Sequence, residues 1–100
     1  ESQILIPEKS RVLNEICSEY KVSTSDLEIS RRGQNNEPRN IATYLMRKLR
    51  GDTLMDICNA FGLKKDSSAG SIVDRVKKQV KTDKKLKMKI SKIEQNIIMC

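Results

Sequence analysis

The sequence contains no histidine and no tryptophan, and only three of its 100 residues are aromatic. Without histidine, the usual zinc fingers, histidine-based acid–base catalysis and a Cys–His nucleophile are excluded within this chain. The three cysteines, Cys17, Cys58 and Cys100, form no Cys-x-x-Cys pair. We therefore expect no metal site, no cofactor, no small-molecule substrate and no catalytic residue, so that the chain itself is not an enzyme.

Long apolar runs are also absent. No stretch approaches the roughly 20 apolar residues that cross a membrane, and no signal peptide is visible. The prediction is a cytoplasmic protein with no membrane partner and reduced thiols. Because the chain begins with Glu1 rather than methionine, we expect it to be a fragment of a larger protein.

Charge is abundant and unevenly distributed. Residues 1–30 carry three basic and six acidic side chains, whereas residues 31–100 carry seventeen and seven. The formal net charge is +7 and the pI is about 9.5. A basic body of this kind favours a polyanionic partner, most often nucleic acid. RNA is the weaker choice, because three aromatic side chains leave little surface on which bases could stack.

Apolar residues recur at helical spacing along most of the chain, and no stretch alternates as a half-buried strand does. We predict an all-α fold of about six helices in a single domain over residues 1–100, with a helix-turn-helix core at 38–81. The predicted segments are a helix at 8–20, a short helix capped by Ser23, a helix that Gly51 ends, one from Thr53 to Gly62, one bearing Val73, Val76 and Val80, and a last helix near 83–98.

Residues 53–80 have the organisation of a helix-turn-helix. A short helix is followed by a glycine-led turn and a longer helix that opens with small residues, Ser67 to Ser71, after Lys64 and Lys65. The second helix of this motif enters the DNA major groove by its N-terminal end, where small or hydrogen-bonding side chains fit. A surface helix with a serine cap stays open as an alternative, whereas a P-loop is excluded because its Gly-Lys-Ser/Thr ending is missing.

The segment EPRNIATYLMRKLRGDTLMDICNAFGLKKDSSAGSIVDRVKKQV resembles the C-terminal DNA-binding domain, or domain IV, of the bacterial replication initiator DnaA, a Trp-repressor-like helix-turn-helix. It resembles still more the C-terminal DnaA-like domain of tyrosine transposases associated with repetitive extragenic palindromes (REP). In that group the pattern NEPRxxAxYLxRxLxG and a tail such as DKKLKxKIxKIE are characteristic, and both occur here. The similarity covers roughly residues 8–98 and is specific within 31–78.

The resemblance implies double-stranded DNA as the partner and assigns roles to individual residues. Arginines in the loop before the long helix would enter the minor groove, the long helix would contact the backbone, and the start of the recognition helix would enter the major groove. The residues implied are Arg31, Arg32, Arg39, Asn40, Arg47, Met55, Lys64, Lys65, Asp66, Ser67, Ser68, Ser71 and Arg75.

The choice between the two relatives depends on Ser67, which stands where the initiator's reading motif has histidine. This difference favours a transposase-type module that binds a hairpin or palindromic repeat, with catalysis upstream of this chain. The alternatives are an initiator's origin-binding domain, and a protein-interaction module that would use the Leu86–Ile97 apolar stripe for docking or dimerisation. The lysines from Lys84 to Lys92 are interpreted as a solvated face.

Overall fold

The computed structural model describes residues 7–28, 37–62 and 66–98, without the side chains of residues 26, 28 and 66–68. In this part of the chain every regular element is helical. The elements are α1 (Lys9–Tyr20), α2 (Thr24–Glu28), α3 (Glu37–Leu45), a π-helical turn (Met46–Arg50), α4 (Leu54–Phe61), α5 (Asp66–Thr82) and α6 (Lys84–Ile98). The all-α prediction is therefore confirmed, and the number of α-helices agrees with the expected six.

One hydrophobic core joins the helices. α5 packs against both α3 and α4, while α1 packs against α3 and α6. The large apolar side chains that are almost completely buried come from all six α-helices and from the π-helical turn, and they include Val12, Ile16, Leu27, Ile41, Leu45, Met46, Ile57, Phe61, Val76 and Ile93. Most of them are the residues whose helical spacing predicted the elements, because the repeat that defines an apolar face also places that face in the core.

The end of the long third helix differs from the sequence prediction. We expected regular α-helix up to Gly51, but residues Met46–Arg50 widen into a π-helical turn. Gly51 ends the turn in the left-handed region at φ 68°, and its N–H points to the carbonyl oxygens of Met46 and Arg47. Arg50 stabilises this turn through two contacts. Its Nε contacts Asp52 Oδ2 at 2.8 Å, and its Nη1 donates to the Pro7 carbonyl oxygen at 2.6 Å.

The last helix begins where its cap predicts. Asp83 Oδ1 accepts a hydrogen bond from the Leu86 N–H at 3.1 Å, which separates α6 from α5. At the other end, the Arg11 guanidinium donates to the carbonyl oxygens of Asn96 and Ile97, both at 3.0 Å. A cation at a helix C-terminus satisfies free carbonyls and complements the helix dipole, so this contact fastens α6 to α1.

The apolar stripe of α6 belongs to the core. Leu86, Ile90, Ile93 and Ile97 are all buried, and α6 packs on α1 and α5. The prediction that this stripe serves as a docking or dimerisation surface is therefore wrong. The physical reason is that α1 supplies the covering face, which periodicity within α6 alone does not reveal.

Candidate nucleic-acid interface

α4 is the first helix of the helix-turn-helix, and local capping fixes both of its ends. Thr53 Oγ1 accepts a hydrogen bond from the Asp56 N–H at 3.1 Å, as the cap prediction required. At the other end, Gly62 has a φ of 67° and donates its N–H to the Cys58 carbonyl oxygen. Between these caps, α4 buries Ile57, Cys58 and Phe61, and it packs against α5.

Gly70 sets the close approach between the two helices of the motif. A Cβ atom placed on Gly70 would lie 3.4 Å from Cδ1 of Leu54 at the start of α4. The glycine therefore lies at the contact between α4 and α5. The neighbouring Ala69 is fully buried, so this residue serves the core and not groove entry.

The exposed face of α5 presents polar and cationic side chains. Ser71 and Arg75 are exposed, and the spacing of four residues places them on one face. Lys78, three residues beyond Arg75, is exposed on the same face. Sequence reasoning missed Lys78, although the i, i+4, i+7 spacing from Ser71 was available as a signal.

Several predicted contact residues lie at or beyond the edge of what the structure describes. Asp66, Ser67 and Ser68 form the first turn of α5 in the backbone, but their side chains are not described. Arg31, Arg32, Lys64 and Lys65 lie outside the described residues. Their predicted DNA contacts stay predictions.

Two of the predicted contact residues on the long helix α3 and its π-helical turn differ in exposure. Arg47 is exposed, and its Nη1 donates to the Asp52 carbonyl oxygen at 2.9 Å. Asn40 is only 4% exposed, which removes its side chain from the reach of a DNA backbone and corrects that assignment. Its position in the helix turns it toward the core.

Of the other two predicted contacts from this region, Met55 retains access to solvent, whereas Nε and Nη1 of the Arg39 guanidinium are buried. Arg39 is half-buried, and burial lowers the pKa of its guanidinium. Met55, next to the first residue of α4, is 58% exposed, and this large exposure of an apolar side chain agrees with a surface role beside the turn.

A basic cleft lies between the long helix and α5. It has a volume of about 360 Å³ and is lined by Tyr44, Arg47, Lys48, Val73 and Lys77. Lys48 Nζ contacts Glu94 at 2.8 Å, and this hydrogen bond raises the pKa of the lysine. Within the described part of the chain, Arg47 and Lys77 form no ion pair, so they are the cations that the cleft offers to an anion. Sequence reasoning did not find Lys77, because only the packing of α5 on α3 brings it beside Arg47.

Metal-ligating and membrane-spanning features were searched over the same residues. In residues 7–28, 37–62 and 66–98, no group of three His, Cys, Asp or Glu side chains is placed to hold a metal ion. None of the helices described is both long and apolar enough to cross a bilayer.

Comparisons with known proteins agree with this geometry. A family model described as the bacterial dnaA protein helix-turn-helix matches residues 10–76. The chromosomal replication initiator protein DnaA of Lactobacillus helveticus is 32% identical over 89 residues, which cover 88% of this chain and 20% of that protein. DnaA of Campylobacter jejuni subsp. jejuni is 27% identical over 89 residues, which again cover 88% of this chain and 20% of that protein.

A third relative, DnaA of Lactobacillus delbrueckii subsp. bulgaricus, is 31% identical over 87 residues, which cover 86% of this chain and 19% of that protein. The chain thus spans about a fifth of the length of these curated relatives. No solved structure matches it at a comparable significance. The family match contains α4 and the start of α5 with its exposed Ser71 and Arg75. This chain belongs to the family of bacterial DnaA helix-turn-helix DNA-binding domains.

Proposed function

We propose that this chain recognises a specific sequence of double-stranded DNA as the origin-binding module of a DnaA-type replication initiator. The observation that carries the proposal is the α4–turn–α5 pair within the matched family region, with Ser71 and Arg75 exposed on α5. Chromosomal replication initiation is named for the relatives, and its extension to this chain is part of the proposal.

The proposed binding mode places the N-terminal end of α5 in the major groove. The first N–H groups of a helix have no partner within the helix, and they lie at its positive dipole end, which suits a phosphate. The Arg75 guanidinium can donate two hydrogen bonds to guanine O6 and N7. The Ser71 hydroxyl can hydrogen-bond to either a donor or an acceptor group on a base edge. Sequence specificity would come from these two residues together with Asp66, Ser67 and Ser68.

Backbone contacts would fix the register of the domain on the duplex. Arg47 and Lys77 line one cleft, and their charges suit a phosphate that passes beside α5. Met55 is exposed on α4, Arg39 is partly exposed on α3, and Lys64 and Lys65 precede α5 in the chain. In this mode, Arg31 and Arg32 would reach the adjacent minor groove, where the narrow grooves of A-tracts attract arginine.

The transposase-type module stays the second candidate, because its NEPRxxAxYLxRxLxG pattern occurs in the chain and Ser67 replaces the initiator's histidine. The three relatives reported above are all replication initiators, and this favours the initiator type. The two candidates differ in the shape of the DNA that they require. An initiator-type module reads linear duplex, and the transposase-type module would prefer a hairpin or palindromic repeat.

A selection experiment separates them. The chain would be incubated with an equal mixture of random linear duplexes and random-stem hairpins, and the retained molecules sequenced over several rounds. The proposal predicts enrichment of one linear sequence motif. Enrichment of hairpins alone would support the transposase type, and retention without any enriched motif would refute sequence-specific recognition by either.

We further propose that the chain contributes binding and no catalysis. The support is compositional, since histidine is absent. Incubation of the chain with labelled duplex and ATP, followed by gel analysis of the DNA and of released phosphate, should show neither cleavage nor hydrolysis. Activity that co-purifies with the chain through a tag-independent step would overturn this proposal.

A further inference from the structure

The end of α5 and the start of α6 carry a cluster of exposed lysines, which we name the lysine junction. Its members, Lys78, Lys81, Lys84, Lys85 and Lys87, are all exposed. Residues 78–87 contain a single acidic side chain, Asp83, and its carboxylate caps α6 by accepting from the Leu86 N–H. Among the described residues, none of the five lysines forms an ion pair.

Two other lysines, in the later part of α6, lie close to acidic side chains of neighbouring helices. Lys89 Nζ lies 3.8 Å from Glu37 and 4.8 Å from the centroid of the Tyr20 ring. Lys92 Nζ lies 3.6 Å from Glu19. The acidic side chains of α1 and α3 therefore offset the later part of α6 and leave the lysine junction uncompensated. Lysines that served only solubility would not need to be separated into a paired group and an unpaired group.

The positions of Lys84 and Lys85 are unfavourable for folding. Both occupy the first turn of α6, which contains no acidic residue. The N-terminus of a helix carries partial positive charge, so cations there are repelled by the helix dipole and by one another. A negatively charged ligand bound at this place would offset the electrostatic cost.

The lysines of the junction from Lys81 onward are too far from the reading end of α5 to share its contacts. Ten residues separate Ser71 from Lys81, which is about 15 Å along a helix at 1.5 Å per residue. The major groove is about 12 Å wide. Side chains at the junction would therefore meet phosphates rather than the base edges that the start of α5 reads.

We propose that the lysine junction is a second contact surface for duplex DNA, which binds phosphates without regard to sequence. The inference rests on the proposed function, because it assigns the same partner to a separate surface. Long, flexible lysine side chains suit this role, since an ammonium group contacts phosphate as a point charge and does not distinguish bases. This proposal replaces the interpretation of these lysines as a merely solvated face.

The test compares two variants that each lose two positive charges. Lys84 and Lys85 are changed to glutamine in one variant, and Lys9 and Lys21, which are exposed on the acidic side of the chain, in the other. Binding to the selected duplex and to a scrambled duplex is titrated at several salt concentrations. For the wild type, log affinity falls linearly with log salt, by about 0.9 per phosphate contact.

The K84Q/K85Q variant should reduce the magnitude of this slope by about 1.8 on both duplexes and weaken binding about 60-fold at 0.1 M salt. The ratio of affinities for the two duplexes should stay unchanged. Its melting temperature should be equal to or above that of the wild type, because two repelled cations leave the helix N-terminus. The K9Q/K21Q variant should retain the wild-type slope.

Three results would overturn the inference, and they are distinguishable. A wild-type slope in K84Q/K85Q, or equal losses in both variants, would show that the lysine junction makes no contact of its own while the proposed function survives. A changed preference between the two duplexes would assign the junction to sequence reading. A wild type that binds neither duplex would refute the inference and the proposed function together.

Discussion

At the scale of single residues, Gly70 and Gly51 have different reasons for being glycine. Gly51 adopts φ 68°, and a Cβ atom placed on it would meet nothing within 4 Å, so its requirement is conformational. Gly70 lies inside α5, where an added Cβ atom would be 3.4 Å from Cδ1 of Leu54. The contact of 3.4 Å is within ordinary van der Waals range, and Leu54 ends in a flexible side chain.

The same substitution at these two positions should have opposite effects. Gly70→Ala should stabilise the protein by about 0.5–1 kcal/mol, because alanine loses less backbone entropy in a helix. Gly51→Ala should destabilise it by about 1 kcal/mol, because the left-handed conformation is unfavourable for a residue with a Cβ. Thermal unfolding followed by circular dichroism would measure both. A lower melting temperature for Gly70→Ala would show that the contact with Leu54 cannot relax.

A second prediction at this scale concerns Ser71. Ser71→Glu places a negative charge on the exposed face of α5, and like-charge repulsion from the phosphates should weaken DNA binding at least tenfold (about 1.4 kcal/mol). Ser18→Glu adds the same charge to an exposed position of α1, outside both proposed DNA-contact surfaces, and binding should fall much less. Both exposed changes should leave the free energy of unfolding within about 0.5 kcal/mol of wild type.

The Ser71→Glu and Ser18→Glu variants are compared by fluorescence titration on one duplex at one salt concentration. Equal losses of affinity would mean that only the net charge of the domain matters. In that case α5 would not be the helix that meets the groove.

At the scale of elements, the sequence predicted helices well where caps and periodicity coincide. Thr53 and Gly62 bound α4, and Asp83 begins α6, as their chemistry required. The π-helical turn before Gly51 was not predicted, because the extra residue per turn is decided by packing and by the Arg50 contacts to Asp52 and Pro7.

The candidate interface was predictable to a similar extent. Ser71 and Arg75 are exposed as the motif requires, since the valines of α5 fix which face turns outward. Asn40 was misassigned, because its position in a motif carries no information about how α3 is rotated against the core. Lys77 was missed because its partnership with Arg47 exists only once α5 packs on α3.

One contact between elements gives a prediction that depends on pH. Tyr20 donates its hydroxyl hydrogen to Glu37 Oε2 at 2.7 Å and thereby joins α1 to the start of α3. Burial, and then the hydrogen bond to Glu37, raise the pKa of the Tyr20 phenol far above its usual value of about 10. Above about pH 10, the Tyr20 phenol is ionised in the unfolded chain but still protonated in the folded chain. The free energy of unfolding therefore falls as the pH rises.

Tyr20→Phe removes both the hydrogen bond and this pH dependence. At about pH 8 the variant should be less stable than wild type by about 1 kcal/mol. The difference should shrink as the pH rises through about 10, because only the wild type loses this contribution. Urea unfolding of both proteins at about pH 8 and about pH 10.5 tests this. A difference that stays constant would show that the phenol ionises equally in both states.

At the scale of the whole molecule, charge is distributed over surfaces with different tasks. The acidic side chains of α1 and α3 pair with Lys89 and Lys92 of α6. Among the described residues, Arg47 and Lys77 of the cleft and the lysines of the junction form no ion pair. A net charge of +7 then produces a field that steers the domain toward polyanions. Because this attraction acts on any duplex, specificity must come from the few side chains at the start of α5.

The most direct test of the central claim is the affinity of the wild-type chain for duplex DNA as a function of salt. A domain that contacts about six phosphates should show log affinity falling with log salt at a slope of about −5. Fluorescence titration of a labelled duplex at several salt concentrations would measure it. A slope of about −5 supports a helix-turn-helix that docks on the DNA backbone, and the absence of salt-sensitive binding would contradict it.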